Sequence, residues 1–348
     1  MSALLVLGLS HRTAPLEARE RAALPEPAAR RLLGALREAP DVAEAVVLST
    51  CNRTEVYAVA GGAATLAREL VAHTALTASE LEAVAFVKAG EDAVRHLFRV
   101  AAGLDSMVLG EPEIRAQVRR AVDAAAGEGM LGPRLAALFR AALGAGRRVR
   151  ARTGIGRGAM STSAVTVELA RRALGDLAGC RALFVGAGKM AEATARALLR
   201  EGVSQVTVAN RTPAAAEELA ARLGGRGVGL GALRAELAGA DLVVACTDAP
   251  GPVVRRADVA GALAGRRKPL VCIDIAVPRD VEPAVAGLDG ALVLDLDDLR
   301  RVAAANRAGR ELEARRAEAI VATEVRRFVA GPAGRAAGAT ADAARPAA

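Results

Sequence analysis

At 348 residues the chain is too long for one ordinary domain, and two or three are expected. The hydrophobic fraction of 52% supports sizeable cores, but with no Trp, one Tyr and five Phe these must be built from Ala, Val and Leu, and aromatic stacking is not the expected way to hold RNA bases. A net charge of +8 favours a polyanionic partner, with a solvated arginine-rich surface as the plainer reading.

Cys51, Cys180, Cys246 and Cys272 stand far apart, without CxxC or Cys/His spacing, so no metal site is expected. The apolar start runs straight into polar "SHRTAP" and no run reaches 18 apolar residues, so neither a signal peptide nor a membrane span is expected. The chain reads as a cytoplasmic protein with reduced thiols.

In chain order, "ALLVLGLS" reads as a strand, and "PLEARERAAL" and "PAARRLLGALREA" as helices. "AEAVVLST" and "TEVYAVAG" are strands that meet at Cys51. A helix near 62–74 and a short strand in "AVAFVKAG" follow. "EDAVRHLFRVAAGL" has apolar residues at helical spacing, with Val94, Leu97, Phe98 and Ala101 on one face. Strand–helix–strand–strand–helix–strand is the split βαβ, ferredoxin-like order of an α+β domain. Helices near 111–127 and 133–151 complete a first domain at 1–155.

The Gly-rich "RTGIGRGAMST" marks a boundary. Beyond it strands and helices alternate, which predicts a Rossmann-like, doubly wound α/β domain over 156–296. One long helix is expected over 297–330, with an apolar stripe of Val302, Ile320, Val321, Val325 and Phe328 that packs on the nucleotide domain or a neighbour. The tail, 331–348, is low in large apolar residues and is expected to be disordered.

Gly186, Ala187, Gly188, Lys189, Met190 and Ala191 spell G-x-G-x-x-A between a strand and a helix. The first Gly permits the turn, the second lets a pyrophosphate approach, and the small third residue lets helix and strand pack closely. An acidic residue after the next strand would bind the ribose hydroxyl of NAD. Asn210, Arg211 and Thr212 stand there instead, and Arg211 can neutralise a 2′-phosphate, which favours NADPH.

A lone Cys is more often structural than reactive, and Cys180, Cys246 and Cys272 fit that reading. Cys51 differs: Thr50 and Asn52 flank it, and Arg53 falls on its face if the strand continues, where a cation would lower the thiol pKa. A nucleophilic thiol with a nicotinamide suggests reduction of an acyl thioester to an aldehyde. A reductase of a small acyl phosphate or acyl-CoA stays open at this point.

"GLSHRTAPLEARER", "VVLSTCNRTEVY", "HLFRVAAGLDSMVLGEPEIRAQVRRA", "GAGKMAEATARALL", "ANRT" and "DIAVPRDVEP" together resemble glutamyl-tRNA reductase, over about residues 4–328. The resemblance implies NADPH-dependent reduction of the glutamyl group of charged tRNA(Glu) to glutamate-1-semialdehyde, the first step of tetrapyrrole biosynthesis by the C5 pathway. It implies Cys51 as nucleophile, His96 as a histidine needed for activity, and Thr50, Asn52 and Arg53 around the bound glutamyl group. Ser106, Glu111, Pro112, Glu113 and Gln117 are implied to hold its amino group and ester. It also makes glutamate-1-semialdehyde aminomutase a candidate partner. Such enzymes usually continue into a helical dimerisation domain and form homodimers. Here most of that domain is expected to be absent and the chain to be a monomer or weak dimer, with a truncated regulatory or binding paralogue as the alternative to an enzyme.

Overall fold

The computed structural model describes residues 2–111, 113–156, 161–266, 268–305, 311–332 and 334. It divides into two compact units, Met1–Ala159 with Asn306–Ala348, and Met160–Ala305.

The first unit runs β1 (Ala3–Ser10), α1 (Leu16–Ala22), α2 (Glu26–Glu38), β2 (Val42–Thr50), β3 (Arg53–Ala60), α3 (Ala63–His73), α4 (Ala78–Val84), β4 (Phe86–Ala89), α5 (Gly90–Ala101), α6 (Glu113–Gly127) and α7 (Pro133–Arg152). Its sheet has the order β2-β3-β1-β4, antiparallel throughout. This is the ferredoxin-like arrangement. Every residue of β1 and β3 is buried, so both faces of the sheet are covered. One element had been missed. Thr77 and Glu80 form a reciprocal capping box that starts α4, a T-x-x-E signal legible in "TASE".

In the second unit the elements are α8 (Thr162–Leu174), β5 (Arg181–Val185), α9 (Lys189–Arg200), β6 (Gln205–Asn210), α10 (Pro213–Leu223), β7 (Arg226–Gly229), α11 (Leu233–Gly239), β8 (Leu242–Ala245), α12 (Arg256–Leu263), β9 (Leu270–Asp274), β10 (Ala291–Leu294) and α13 (Leu296–Ala305). The sheet is parallel, in the order β10-β9-β8-β5-β6-β7. The order reverses between β5 and β8, which is where open α/β sheets bind ligands.

Of the single helix expected over 297–330, the described residues show α13 and α14 (Glu311–Ala330), and 306–310 lie outside the described residues. Its expected stripe is shared between two cores. Val302 is buried in the second unit, while Val321 and Val325 join the core of the first, with Phe328 against Phe98 at 5.9 Å between ring centroids. Glu324 pairs with Arg148 of α7 at 2.6 Å, and Glu318 pairs with Arg99 of α5. Helical periodicity shows which face is apolar, not which core receives it. The tail beyond 334 lies outside the described residues.

Candidate functional site

The strand carrying Cys51 does not continue. Thr50 pairs with Arg53 across the ladder, so Cys51 and Asn52 form the two-residue turn of the β2–β3 hairpin. The Asn52 amide donates to Thr50 Oγ1 at 3.2 Å and its carbonyl accepts from the His11 amide at 2.8 Å. Arg19 of α1 donates through Nη1 to the Cys51 carbonyl at 3.2 Å and lies 3.5 Å from Asn52 Oδ1. The turn is thereby tied down from two neighbouring segments, with part of Cys51 left accessible.

Along β3, Arg53, Glu55 and Tyr57 point to one face by strand alternation, and all three are buried. Arg53 donates through Nη1 to Glu55 Oε1 at 2.6 Å and to Asp105 Oδ2 at 3.2 Å, and through Nη2 to the Asp105 carbonyl at 2.5 Å. Tyr57 donates to Glu55 Oε2 at 2.6 Å, and His96 Nε2 of α5 lies 2.9 Å from Glu55 Oε1. Burial alone would raise the Glu55 pKa. Arg53, then His96, override it and bring the carboxyl down to about 2. An ionised Glu55 only accepts, so His96 Nε2 carries the proton of that hydrogen bond. Gly8 of β1 stands opposite Glu55, and a Cβ there would lie 2.7 Å from Glu55 Cγ; the carboxylate fits because that position is bare.

Both Nη atoms of Arg53 are therefore engaged within the chain, where an open grip on a substrate carboxylate had been expected, while its Nε is buried without a hydrogen-bond partner among the described residues. A buried arginine needs such partners to offset its desolvation. Arg12, more than half exposed, pairs with the same Asp105 at 3.0 Å and is the more accessible cation. The thiol also departs from expectation. Burial, then the Glu111 carboxylate, pushes Cys51 up to about 12, with Arg19 and Arg53 acting against that rise. Burial likewise pushes Glu111 itself up to about 7, against the pull of the neighbouring Ser106. Ser106 is buried beside Asp105, and its hydroxyl completes no hydrogen bond of good geometry among the described residues. Glu113 opens α6 with Oε2 buried and without a hydrogen-bond partner among the described residues, and Gln117 lies half-buried one turn on. Pro112 lies outside the described residues.

Thr50, Cys51, Asn52, Arg53, His96, Ser106 and Glu111 are thus linked through one neighbourhood. Sequence reading missed Glu55, Tyr57, Asp105 and Arg19. The signal for the first two was the alternation of Arg53, Glu55 and Tyr57 in an otherwise apolar strand.

In the second unit, Gly186 follows β5 with φ +112°, and a Cβ there would meet the Cys246 carbonyl at 2.9 Å. Only glycine fits where the loops after β5 and β8 meet. Gly188 caps α9 with no side-chain hydrogen bond and open space at its Cβ, which leaves the helix N-terminus to a phosphate. Ala191 is buried, Ala187 and Met190 are half-buried, and Lys189 is exposed. Beyond β6, Asn210 Nδ2 donates to the Thr212 carbonyl at 3.2 Å, and Arg211 and Thr212 are exposed. The residues present fit a dinucleotide. Two carboxylates that sequence reading left without a role fix the adjoining loops. Asp280 accepts from the Thr247 amide at 2.6 Å, and Asp274 from the amides of Ala276 and Val281 at 3.0 and 2.7 Å.

Two family models match the chain: the glutamyl-tRNA(Glu) reductase N-terminal domain over residues 7–153, and shikimate/quinate 5-dehydrogenase over residues 168–302. With the parallel sheet and its glycine turn, the second match places the chain among nicotinamide-nucleotide-binding oxidoreductases. A protein of Stenotrophomonas maltophilia named glutamyl-tRNA reductase is 48% identical over 327 residues, which span 94% of this chain and 76% of the relative. A Rubrobacter xylanophilus protein of the same name is 47% identical over 93% of this chain and 76% of its own length. The solved glutamyl-tRNA reductase from Methanopyrus kandleri matches at 41% identity and a TM-score of 0.50, covering 94% of this chain and 79% of that one. The chain belongs to the glutamyl-tRNA reductase family. Among its described residues no helix is long and apolar enough to cross a membrane.

Proposed function

We propose that this chain reduces the glutamyl group of glutamyl-tRNA(Glu) to glutamate-1-semialdehyde with NADPH and releases the tRNA, through a thioester on Cys51. The observation that carries this reading is a half-buried cysteine on a tied-down hairpin turn, in a family member with an intact dinucleotide turn.

The Cys51 sulfur attacks the ester carbonyl carbon, the bond from that carbon to the tRNA oxygen breaks, and the tRNA hydroxyl takes up a proton. A thiol held near 12 is neutral at pH 7 and must lose its proton as it attacks. Glu111, which acts on Cys51 electrostatically and sits near 7, is matched to receive it. The nicotinamide nucleotide that the Gly186 to Ala191 turn would hold would supply the hydride for reduction of the thioester carbon. The carbon–sulfur bond then breaks, the aldehyde leaves, and the Cys51 sulfur is reprotonated. His96 presents Nε2–H to Glu55, so Nδ1 is its atom for proton exchange.

Thr50, Asn52, Ser106, Pro112, Glu113 and Gln117 are proposed to line the glutamyl group. Arg53 meets its carboxylate through its unpartnered Nε or by exchange with Asp105, with Arg12 as the exposed alternative. Gly186 to Ala191 hold the pyrophosphate of NADPH, and Asn210, Arg211 and Thr212 its 2′-phosphate. The activity belongs in the cytoplasm as the first step of tetrapyrrole synthesis, ahead of an aminomutase. NADPH oxidation with glutamyl-tRNA, against uncharged tRNA and free glutamate, tests it. Equal rates with all three would overturn the reading.

A further inference from the structure

Helix α6 carries Arg115 and Arg119, and α7 carries Arg147 and Arg150; the spacings of four and three place each pair on one face of its helix. The two helices pack together. Burial, then the charges of Arg150, Arg147 and Arg119, holds the Arg115 guanidinium below its ordinary pKa, so the four lie within each other's field. Among the described residues no carboxylate pairs with Arg115, Arg119 or Arg147, and Arg115 Nε is buried without a hydrogen-bond partner. Several other arginines of the unit are answered by acids, Arg148 by Glu324, Arg37 by Glu38, Arg68 by Glu69 and Arg95 by Glu91. Gathered like charges without counter-charge cost folding energy, and an external anion relieves that cost.

Position adds a second argument. Arg150 Nη1 donates to the Gly110 carbonyl at 2.9 Å, directly before Glu111. Helix α6 begins two residues after Glu111, so Arg115 and Arg119 stand roughly 3 and 9 Å along its axis from Glu113. A polyanion whose end reaches Cys51 has its next few phosphates to place within such a span.

We propose that the arginines of α6 and α7 bind the phosphates of the tRNA acceptor arm and so feed the esterified end to Cys51. This rests on the glutamyl-tRNA reading above. Guanidinium groups take phosphate oxygens in bidentate pairs. The one Tyr of the chain is buried and there is no Trp, so the grip is electrostatic rather than by stacking.

The test compares the full chain with an Arg115→Gln/Arg119→Gln/Arg147→Gln variant and with an equally charge-reduced control, Arg37→Gln/Arg68→Gln/Arg95→Gln. Affinity for uncharged tRNA(Glu) is measured against KCl concentration, alongside KM and kcat for glutamyl-tRNA. The cluster variant is expected to raise Kd about tenfold or more, to lower the log–log salt slope by about 2 to 3, and to show its loss in KM rather than kcat. The control is expected to follow the wild type. Cluster and control variants with the same slope and KM, in an active enzyme, overturn the site and leave the function standing. A cluster-dependent slope in a protein that reduces no glutamyl-tRNA sinks the function and leaves the site. Arginine modification of the wild-type protein by phenylglyoxal needs no variant: tRNA should protect Arg115, Arg119 and Arg147, and equal labelling with and without tRNA overturns the proposal.

Discussion

The two units prepare for chemistry in opposite ways. The first spends side chains. Arg53, Glu55, Asp105, His96 and Tyr57 form a buried polar network under the Cys51 turn, and each satisfies another. The second spends backbone. Gly186, Gly188 and the uncapped start of α9 leave peptide groups and space where a ligand's phosphates go. A side-chain network fails when one partner is removed and leaves its neighbour buried and charged. A backbone cradle fails when an atom is added.

That contrast sets the order of expected effects. Cys51→Ser should lower turnover of glutamyl-tRNA by about a thousandfold or more while nucleotide binding, measured by titration, stays at the wild-type value. Activity within about tenfold of wild type would remove Cys51 as nucleophile.

Glu55→Ala should destabilise the first unit by about 3–5 kcal/mol, because Arg53 loses a buried partner. Urea unfolding followed by Tyr57 emission measures this without interference, since the chain has no other Tyr and no Trp. In the wild type the Glu55 contribution is present above its ordinary pKa of 4.5 and is lost as pH falls from there towards about 2. The Glu55→Ala variant should lack that acid-dependent loss. Unfolding midpoints that respond to acid identically in both proteins would detach Glu55 from the network's stability.

Gly186→Ala is the matching change in the other unit. Its Cβ meets the Cys246 carbonyl and its φ of +112° is strained for alanine. NADPH affinity should fall by about tenfold or more, and the Tyr57-monitored transition should stay within about 0.5 kcal/mol of wild type. A lost Tyr57 transition with normal nucleotide binding would reverse the comparison.

Glu111 gives a pH test. Its carboxyl is protonated below about 7, so a base at this position makes kcat rise with pH through about 7 and then level. Glu111→Gln should lose that limb, and an unchanged profile would return Glu111 to a binding role. The smallest effect is expected at exposed Arg211, whose replacement by Ala should weaken NADPH about tenfold and NADH hardly at all. Equal losses for both would mean that the 2′-phosphate is read elsewhere.

The backbone cradle was the more legible site. G-x-G-x-x-A between strand and helix names its own geometry, because glycine states what the backbone must do. The side-chain site was legible only at Cys51 and in its family motif. The premise that a strand continued through Cys51 failed because a two-residue turn without glycine leaves little trace. Asp105 escaped notice because it meets Arg53 from a loop 52 residues away, and nothing local in either segment announces that pairing. Glu55 was hidden for the same reason: its partner His96 comes from α5, and its room from the absent side chain of Gly8. The order of strands was readable from alternation, whereas the division of the last helical stretch between two cores was not.

The return of α14 to the first unit sets a timetable for biosynthesis. The second unit is one uninterrupted stretch, but the first is completed only by Ala317, Val321 and Val325, which leave the ribosome after the whole of the second unit has been made. At ordinary elongation speeds that interval is roughly 10–30 s. Throughout it α5 and α7 present apolar faces with their final cover not yet synthesised, so a nascent chain stalled before α14 offers a chaperone a surface that the finished protein conceals.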